Sequence, residues 1–432
     1  MLTPISLSDE VNEPNISFPR RPRTIEETGL TMSYIADLVV RALYVIGELT
    51  GQELSDHLTL SYEGVLDQSI RYLRKEQLAE VKGSEGISER SYRYQVTQKG
   101  VERAKELSER TQYLGPAPVP LETYMEMVRQ QTIHGVTFDE QALREAFAHL
   151  VLSSSLIQQV GPAVNSGRSL FLYGHAGNGK TSIAEAVARL FSETIFVPHA
   201  VIVDGQIIKV FDIIHHKEVP LPASDNALAD QRWVHTRRPI VVTGGELNMD
   251  SLDLIYNPIS KYYEAPLQMK ANGGLFFIDD FGRQQMRPQD LLNRWIVPLE
   301  KRIDFLTLHT GKKIEIPFDQ LIIFSTNLDP KDLVDEAFLR RIRYKVEVGN
   351  PTPTQYREIM RRVCKDKGIP YSDEGLKYLL TEQYARRGIE LRSVHPRDLM
   401  DQLVDTARFL NVRPTMSHEL LDAACRSYFV EL

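Results

Sequence analysis

One stretch of the chain combines glycines, a lysine and a hydroxyl at a spacing suited to phosphate: Gly174-His-Ala-Gly177-Asn178-Gly179-Lys180-Thr181, the complete G-x-x-x-x-G-K-[ST] pattern. The glycines let successive backbone N–H groups curl around a β-phosphate, and the following helix adds a partial positive charge at its N-terminus. Lys180 is then the candidate to contact the β- and γ-phosphates, and the Thr181 hydroxyl is the candidate ligand of Mg²⁺, with Ser182 beside it in the nucleotide-binding set. About 100 residues later, Gly274-Leu-Phe-Phe-Ile-Asp279-Asp280 reads as a buried apolar strand ending in two carboxylates. Beside a phosphate loop, such a pair can divide its work: Asp279 holds the metal, through water, and Asp280 polarises an attacking water.

These residues need a strand before the loop and a helix after it. Leu170 to Tyr173 supplies the strand, and Ile183, Ala186, Val187 and Leu190 recur at helical spacing behind the loop. The α/β part runs to a last strand around Tyr344 to Val348, closed by Gly349-Asn-Pro. From Thr354 on, helical segments separated by Gly368-Ile-Pro370, Gly388 and Pro414 predict a small all-helical domain. Upstream, residues 25 to 113 read as three helices, the third over Tyr62 to Glu76, then two strands and a closing helix. This is the pattern of a winged helix-turn-helix domain. Thr50-Gly-Gln-Glu53 is a capping box for the second helix. Residues 1 to 24 are polar with four prolines and read as a flexible tail. Residues 114 to 136 read as a Pro-rich linker, stiff through Gly115-Pro-Ala-Pro-Val-Pro120, with a connecting helix. The expected division is therefore 1–24, 25–113, 114–136, 137–350 and 351–432. The fold class is α/β, a P-loop three-layer parallel sheet with a C-terminal helical lid, preceded by a small winged-helix domain.

The motifs, in their order, resemble the AAA+ ATPases, of the type with a hairpin before sensor 1, over about residues 137 to 432. Leu321-Ile-Ile-Phe-Ser-Thr-Asn327 resembles the sensor-1 strand, where Asn327 would orient the water between Asp280 and the γ-phosphate. Asp335-Glu-Ala-Phe-Leu-Arg340-Arg341-Ile342 is similar to the segment that carries an arginine finger into a neighbouring subunit's ATP, with Arg341 the better match and Arg340 the second. His395-Pro396-Arg397 opens a helix as the sensor-2 arginine does. The resemblance implies MgATP hydrolysis at the interfaces of a head-to-tail ring, six subunits being the expected closure. It departs in two ways: the family usually has Glu where this chain has Asp280, so moderate or partner-stimulated hydrolysis is expected, and the stretch from about residue 194 to 273, with Arg232, Trp233, Arg237 and Arg238 in a polar part, is longer than the pattern.

Two hairpins interrupt the core, one turning at Asp204-Gly205 and one at Gly311 just before the Asn327 strand. They are the expected substrate contacts, since loops on a rigid scaffold carry specificity. No aromatic-hydrophobic-Gly pore loop is evident. His215 and His216 are read as a turn or surface pair, Cys364 as a passive thiol, and Tyr262 and Tyr263 as packing.

A chain with 42% hydrophobic residues and a formal charge of −7 does not coat nucleic acid with its whole surface. Its two cysteines suit a reducing compartment, and no run approaches the roughly 18 apolar residues of a membrane span, so a cytoplasmic protein is expected. In the N-terminal domain, Arg71, Arg74, Lys75, Lys82, Arg90 and Arg93 could meet DNA, but the domain is not net basic. Three roles follow: chaperone-like remodelling of a protein complex with the winged helix as recruiter, a DNA-acting helper in transcription, replication or transposition, and a slow nucleotide-dependent assembly switch.

Overall fold

The computed structural model describes residues 18–333 and 339–429. Its centre is a five-stranded, all-parallel sheet, whose strands we label in chain order: β1 (Ser169–Tyr173), β2 (Ile240–Thr243), β3 (Leu275–Ile278), β4 (Leu321–Thr326) and β5 (Tyr344–Glu347). They lie side by side in the order β2-β3-β4-β1-β5. β3 and β4 are buried at every position, which is why they read as unbroken apolar runs. β2, at one edge, exposes Ile240 and Val242 and buries Val241.

Alternation along each strand builds two cores. Leu170, Leu172, Phe277 and Ile323 pack on one face against Ile183, Ala186 and Val187 of the helix Lys180–Leu190. Phe171, Phe276, Ile278, Ile322 and Phe324 pack on the other against Leu291, Leu292 and Trp295. The result is the expected three-layer sandwich. The C-terminal region is helical, with Pro353–Lys367, His395–Phe409 and His418–Tyr428 around Tyr356, Met360, Leu399, Leu403 and Leu421.

The N-terminal region carries helices Met32–Ile46, Gly51–Leu58 and Asp67–Lys75, a three-stranded antiparallel sheet and a closing helix Gln98–Arg110. The capping box forms as read: Thr50 Oγ1 accepts from Glu53 N at 3.1 Å, and a Glu53 carboxylate oxygen accepts from Thr50 N at 2.7 Å. The third helix starts later than the apolar spacing predicts. Glu63 and Gly64 leave helical geometry, and a Cβ on Gly64 (φ 81°) would lie 2.0 Å from the Arg23 carbonyl. That close approach also corrects the reading of a flexible tail for the part that is described. Pro19 O accepts from Asp230 N at 2.7 Å, Arg21 N donates to Leu228 O at 2.8 Å, and Phe18 packs edge-on against Phe196. Residues 1–17 of the tail lie outside the described residues.

The Pro-rich stretch is likewise packed rather than free. Ala117 and Val119 are fully buried, Ala117 N donates to Leu58 O at 2.9 Å, and Val119–Pro120 pairs with the strand Ala200–Val203. The connecting helix is Leu121–Gln130. The hairpin Ala200–Val203/Gln206–Lys209 turns through Asp204 (φ 49°) and Gly205 (φ 73°), the left-handed pair that a two-residue hairpin turn demands. The second hairpin pairs Ile303–Thr307 with Lys313–Pro317. Among the described residues no helix is long and apolar enough to cross a membrane.

Candidate nucleotide site

In a parallel sheet ligands sit beyond the carboxyl ends of the strands, where the strand order reverses. The register puts the candidates there together. Thr326 pairs with Tyr173 and Ile278 with Phe324, so Gly174, Asp279, Asp280 and Asn327 all emerge at the same edge of β1, β3 and β4.

The loop folds as its glycines require. Gly174, Gly177 and Gly179 have φ of 132°, 81° and 90°, and Gly179 leads directly into the helix that starts at Lys180. Lys180 Nζ donates to Gly174 O (2.8 Å), His175 O (3.0 Å) and Asn327 Oδ1 (2.6 Å). Burial holds its pKa below the ordinary lysine value, and Asp279 and Asp280 pull the other way. Thr181 Oγ1 donates to Asp279 Oδ2 at 2.9 Å. Asn327 Nδ2 donates to Asp280 Oδ1 at 3.1 Å, so one amide joins the lysine to the second carboxylate. Asp280 has φ 48°, a left-handed backbone that Asp and Asn adopt more readily than Glu.

These side chains line a cavity of about 560 Å³, together with Ser182 and Arg397. Asn178 is nearly buried and does not face the cavity alone: its Nδ2 donates to Asn350 Oδ1 at 2.8 Å, and its Oδ1 accepts from Ser393 N at 3.3 Å. Arg397 sits at the rim, largely exposed, with Nε donating to Asp398. Two sequence candidates do not join this group. Arg340 and Arg341 line a separate pocket of about 590 Å³ with Arg168, Ser169, Glu300, Arg302 and Arg343. Ser169 opens β1 and Arg343 precedes β5, so this pocket lies at the amino ends of the strands, about 16 Å from the loop at roughly 3.3 Å per residue. The residues 335–338 of that motif lie outside the described residues.

Several contributors were not legible in the sequence. His149, Leu150, Val151 and Leu152 line the cavity, as do Ile359 and Val363 of the C-terminal region. Arg362 Nη1 ties these two segments together by donating to Ala148 O at 2.8 Å. Arg392 Nη1 donates to Ala176 O at 3.2 Å, and Val394 N to Gly177 O at 2.8 Å, so the helical region clasps the loop from above. Gln284 Nε2 donates to the carbonyls of Asp279 and Asp280 at 3.0 and 3.2 Å, fixing the acidic turn.

The residues set aside in the sequence behave as read, with one refinement. Asp212 to His216 is a turn, but His216 is buried: its Nδ1 accepts from Asp212 N and its Nε2 donates to Lys270 O, both at 2.9 Å. Burial lowers its pKa to about 4. Among the described residues no group of three or more His, Cys, Asp or Glu is arranged to hold a metal. Cys364 is buried, and burial pushes its thiol up to about 11. Tyr262 packs edge-on against Tyr113, and Tyr263 is buried.

The chain is similar to known proteins in part. Residues 352–427 match DUF8689, a domain of unknown function. No curated protein matches. Among solved structures, a point mutant of RuvB from Thermotoga maritima aligns at 12% identity over 69% of this chain and 72% of that one, with a TM-score of 0.36. NtrX from Brucella abortus in complex with ATP aligns at 14% identity over 77% of this chain, with a TM-score of 0.36. The alignment spans 63% of the length of NtrX. The fold is α/β, of the P-loop three-layer class. Sheet order and loop geometry carry that assignment.

Proposed function

We propose that the protein is an AAA+ ATPase that hydrolyses MgATP between subunits of a ring, with six subunits as the expected closure, and uses the cycle to remodel a protein complex. The observation that carries this reading is the junction of four groups at one sheet edge: Lys180, Thr181, the Asp279–Asp280 pair and Asn327. The donor set fits Mg²⁺, which takes hard oxygen ligands: Thr181 Oγ1 and Asp279 Oδ2 already lie 2.9 Å apart. Bound there, Mg²⁺ would neutralise charge on the β- and γ-phosphates. Lys180 exchanges its backbone acceptors for phosphate oxygens, Asn327 holds the water in line, and Asp280 takes its proton. The apolar wall of Leu150, Leu152, Ile359 and Val363 suits the base of the nucleotide, and Arg397 reaches the phosphates from the rim.

The placement of Arg340 and Arg341 at the far end of the strands supports a finger that acts in trans, because an arginine cannot span that distance within its own subunit. The N-terminal domain is read as a winged helix that recruits protein. Three of its six candidate DNA contacts sit in ion pairs within the domain: Arg71 pairs with Asp67, Lys82 with Glu48 and Arg93 with Glu85. Residues 25–113 hold eleven Lys and Arg against fifteen Asp and Glu, the reverse of a DNA-binding footprint. The domain is also seated firmly, with Arg232 Nη1 donating to Thr28 O and Gln112 N to Ser260 O, both at 2.8 Å.

The test is phosphate release from MgATP by the wild type and Lys180→Ala, followed by capture of partners on the nucleotide-loaded protein. Activity that vanishes with Lys180 supports the reading, and equal activity in both excludes this cavity. A steep salt-dependent gel shift on duplex DNA would move the N-terminal domain to the DNA-acting alternative.

A further inference from the structure

We propose that Glu300 is a positioning residue for Arg341, fixing the direction in which that guanidinium points out of its subunit. The proposal rests on the reading that Arg341 serves the neighbouring subunit's nucleotide. Five arginines, Arg168, Arg302, Arg340, Arg341 and Arg343, line the pocket at the amino ends of β1 and β5, and among the described residues Glu300 is the one carboxylate lining it. Like charges at this density repel, so a guanidinium held there needs a fixed counter-charge. Glu300 Oε1 accepts from Arg341 Nε at 2.7 Å. Through that contact Glu300 fixes one N–H of the planar guanidinium and so helps to set the plane of the whole group.

Glu300 can act as a reference point because its own turn is pinned. It lies in the helix Ile296–Lys301, which ends at Arg302 in left-handed geometry (φ 61°). The half-buried Arg302 guanidinium donates to Gln320 O at 3.2 Å and to Gly167 O at 3.0 Å, one residue before β4 and two before β1. The strands that carry Asn327 and the phosphate loop therefore also anchor Glu300. The pair itself is half-exposed, with side chains 30% and 49% accessible, and such pairs add little to folding stability. Removing it should leave the fold intact and expose its effect on the reaction.

The experiment measures ATPase rate against protein concentration for the full chain carrying Glu300→Ala, Glu300→Gln, Glu300→Asp, Arg341→Ala and the double variant Glu300→Ala/Arg341→Ala, with assembly followed by sedimentation. We expect Glu300→Ala and Glu300→Gln to assemble normally, keep the wild-type KM and lose about tenfold or more in the assembly-dependent kcat, since small misplacements of a catalytic group cost that much. Glu300→Asp should recover part of it, and the double variant should be no slower than Arg341→Ala. A wild-type kcat for Glu300→Ala beside an impaired Arg341→Ala overturns the proposal alone, as do additive losses in the double variant. A wild-type kcat for Arg341→Ala overturns the reading beneath it.

Discussion

Replacing Asp280 by asparagine separates chemistry from binding. The asparagine keeps an Oδ1 that can accept from Asn327 Nδ2, as Asp280 does at 3.1 Å, and it tolerates the φ of 48° at this position. The loop, Lys180 and the Thr181–Asp279 contact are untouched, so ATP affinity should not change. Under the proposed function what is lost is the proton acceptor, and general bases contribute about 10² to 10⁴ in rate. At about 1.36 kcal/mol per decade this raises the barrier by about 3 to 5 kcal/mol. Asp280→Glu is the informative companion. Its longer side chain would stand on the same left-handed backbone, which Glu adopts less readily than Asp. It should be no faster than the wild type. Phosphate release at saturating MgATP gives kcat, and a fluorescent nucleotide titration gives Kd. Full activity of Asp280→Asn would refute the assignment of Asp280 as base, and a large change in Kd would show that its role lies in binding.

Two further outcomes follow from the same geometry. Gly177→Ala places a Cβ 2.5 Å from Val394 Cγ1 at a φ of 81°, so it should strain the loop by about 1 to 2 kcal/mol and loosen the clasp of the helical region; the thermal shift produced by MgATP should shrink or vanish. His216 is neutral in the fold with a pKa of about 4 against 6.5 in the unfolded chain, so its contribution is full above pH 6.5 and is lost as pH falls toward 4. That is about 3 kcal/mol, and urea titrations between pH 7 and 4 should show a loss in the wild type that is larger than in His216→Gln by about this amount, since His199 and His395, also lowered to about 4 by burial, remain in both.

The parts of the site legible in the sequence are those in which a single segment carries both the element and its chemistry. The phosphate loop, the run into Asp279 and Asp280, and the run into Asn327 each pair an apolar strand with a polar end, and strand register alone brings those ends together. The contributions of His149 to Leu152, Arg362 and Arg392 had no such signature, because each acts only after the helical region folds back over the loop from roughly 200 residues away. The same cause explains the N-terminal strap. Prolines at 19 and 22 read as a tail, yet the partners of that segment, Leu228 and Asp230, lie in an insertion some 200 residues later. Gly64 shows the reverse, a local helical pattern overridden by one close backbone contact.

If each active site is completed by the next subunit, two differently crippled proteins should restore one another when mixed. Asp280→Asn lacks the base but retains Arg341, and Arg341→Ala lacks the finger but retains the base. Each should be nearly inactive alone, and an equimolar mixture should recover a substantial fraction of wild-type phosphate release as subunits of the second kind receive Arg341 from the first. A mixture no more active than its components would contradict the account.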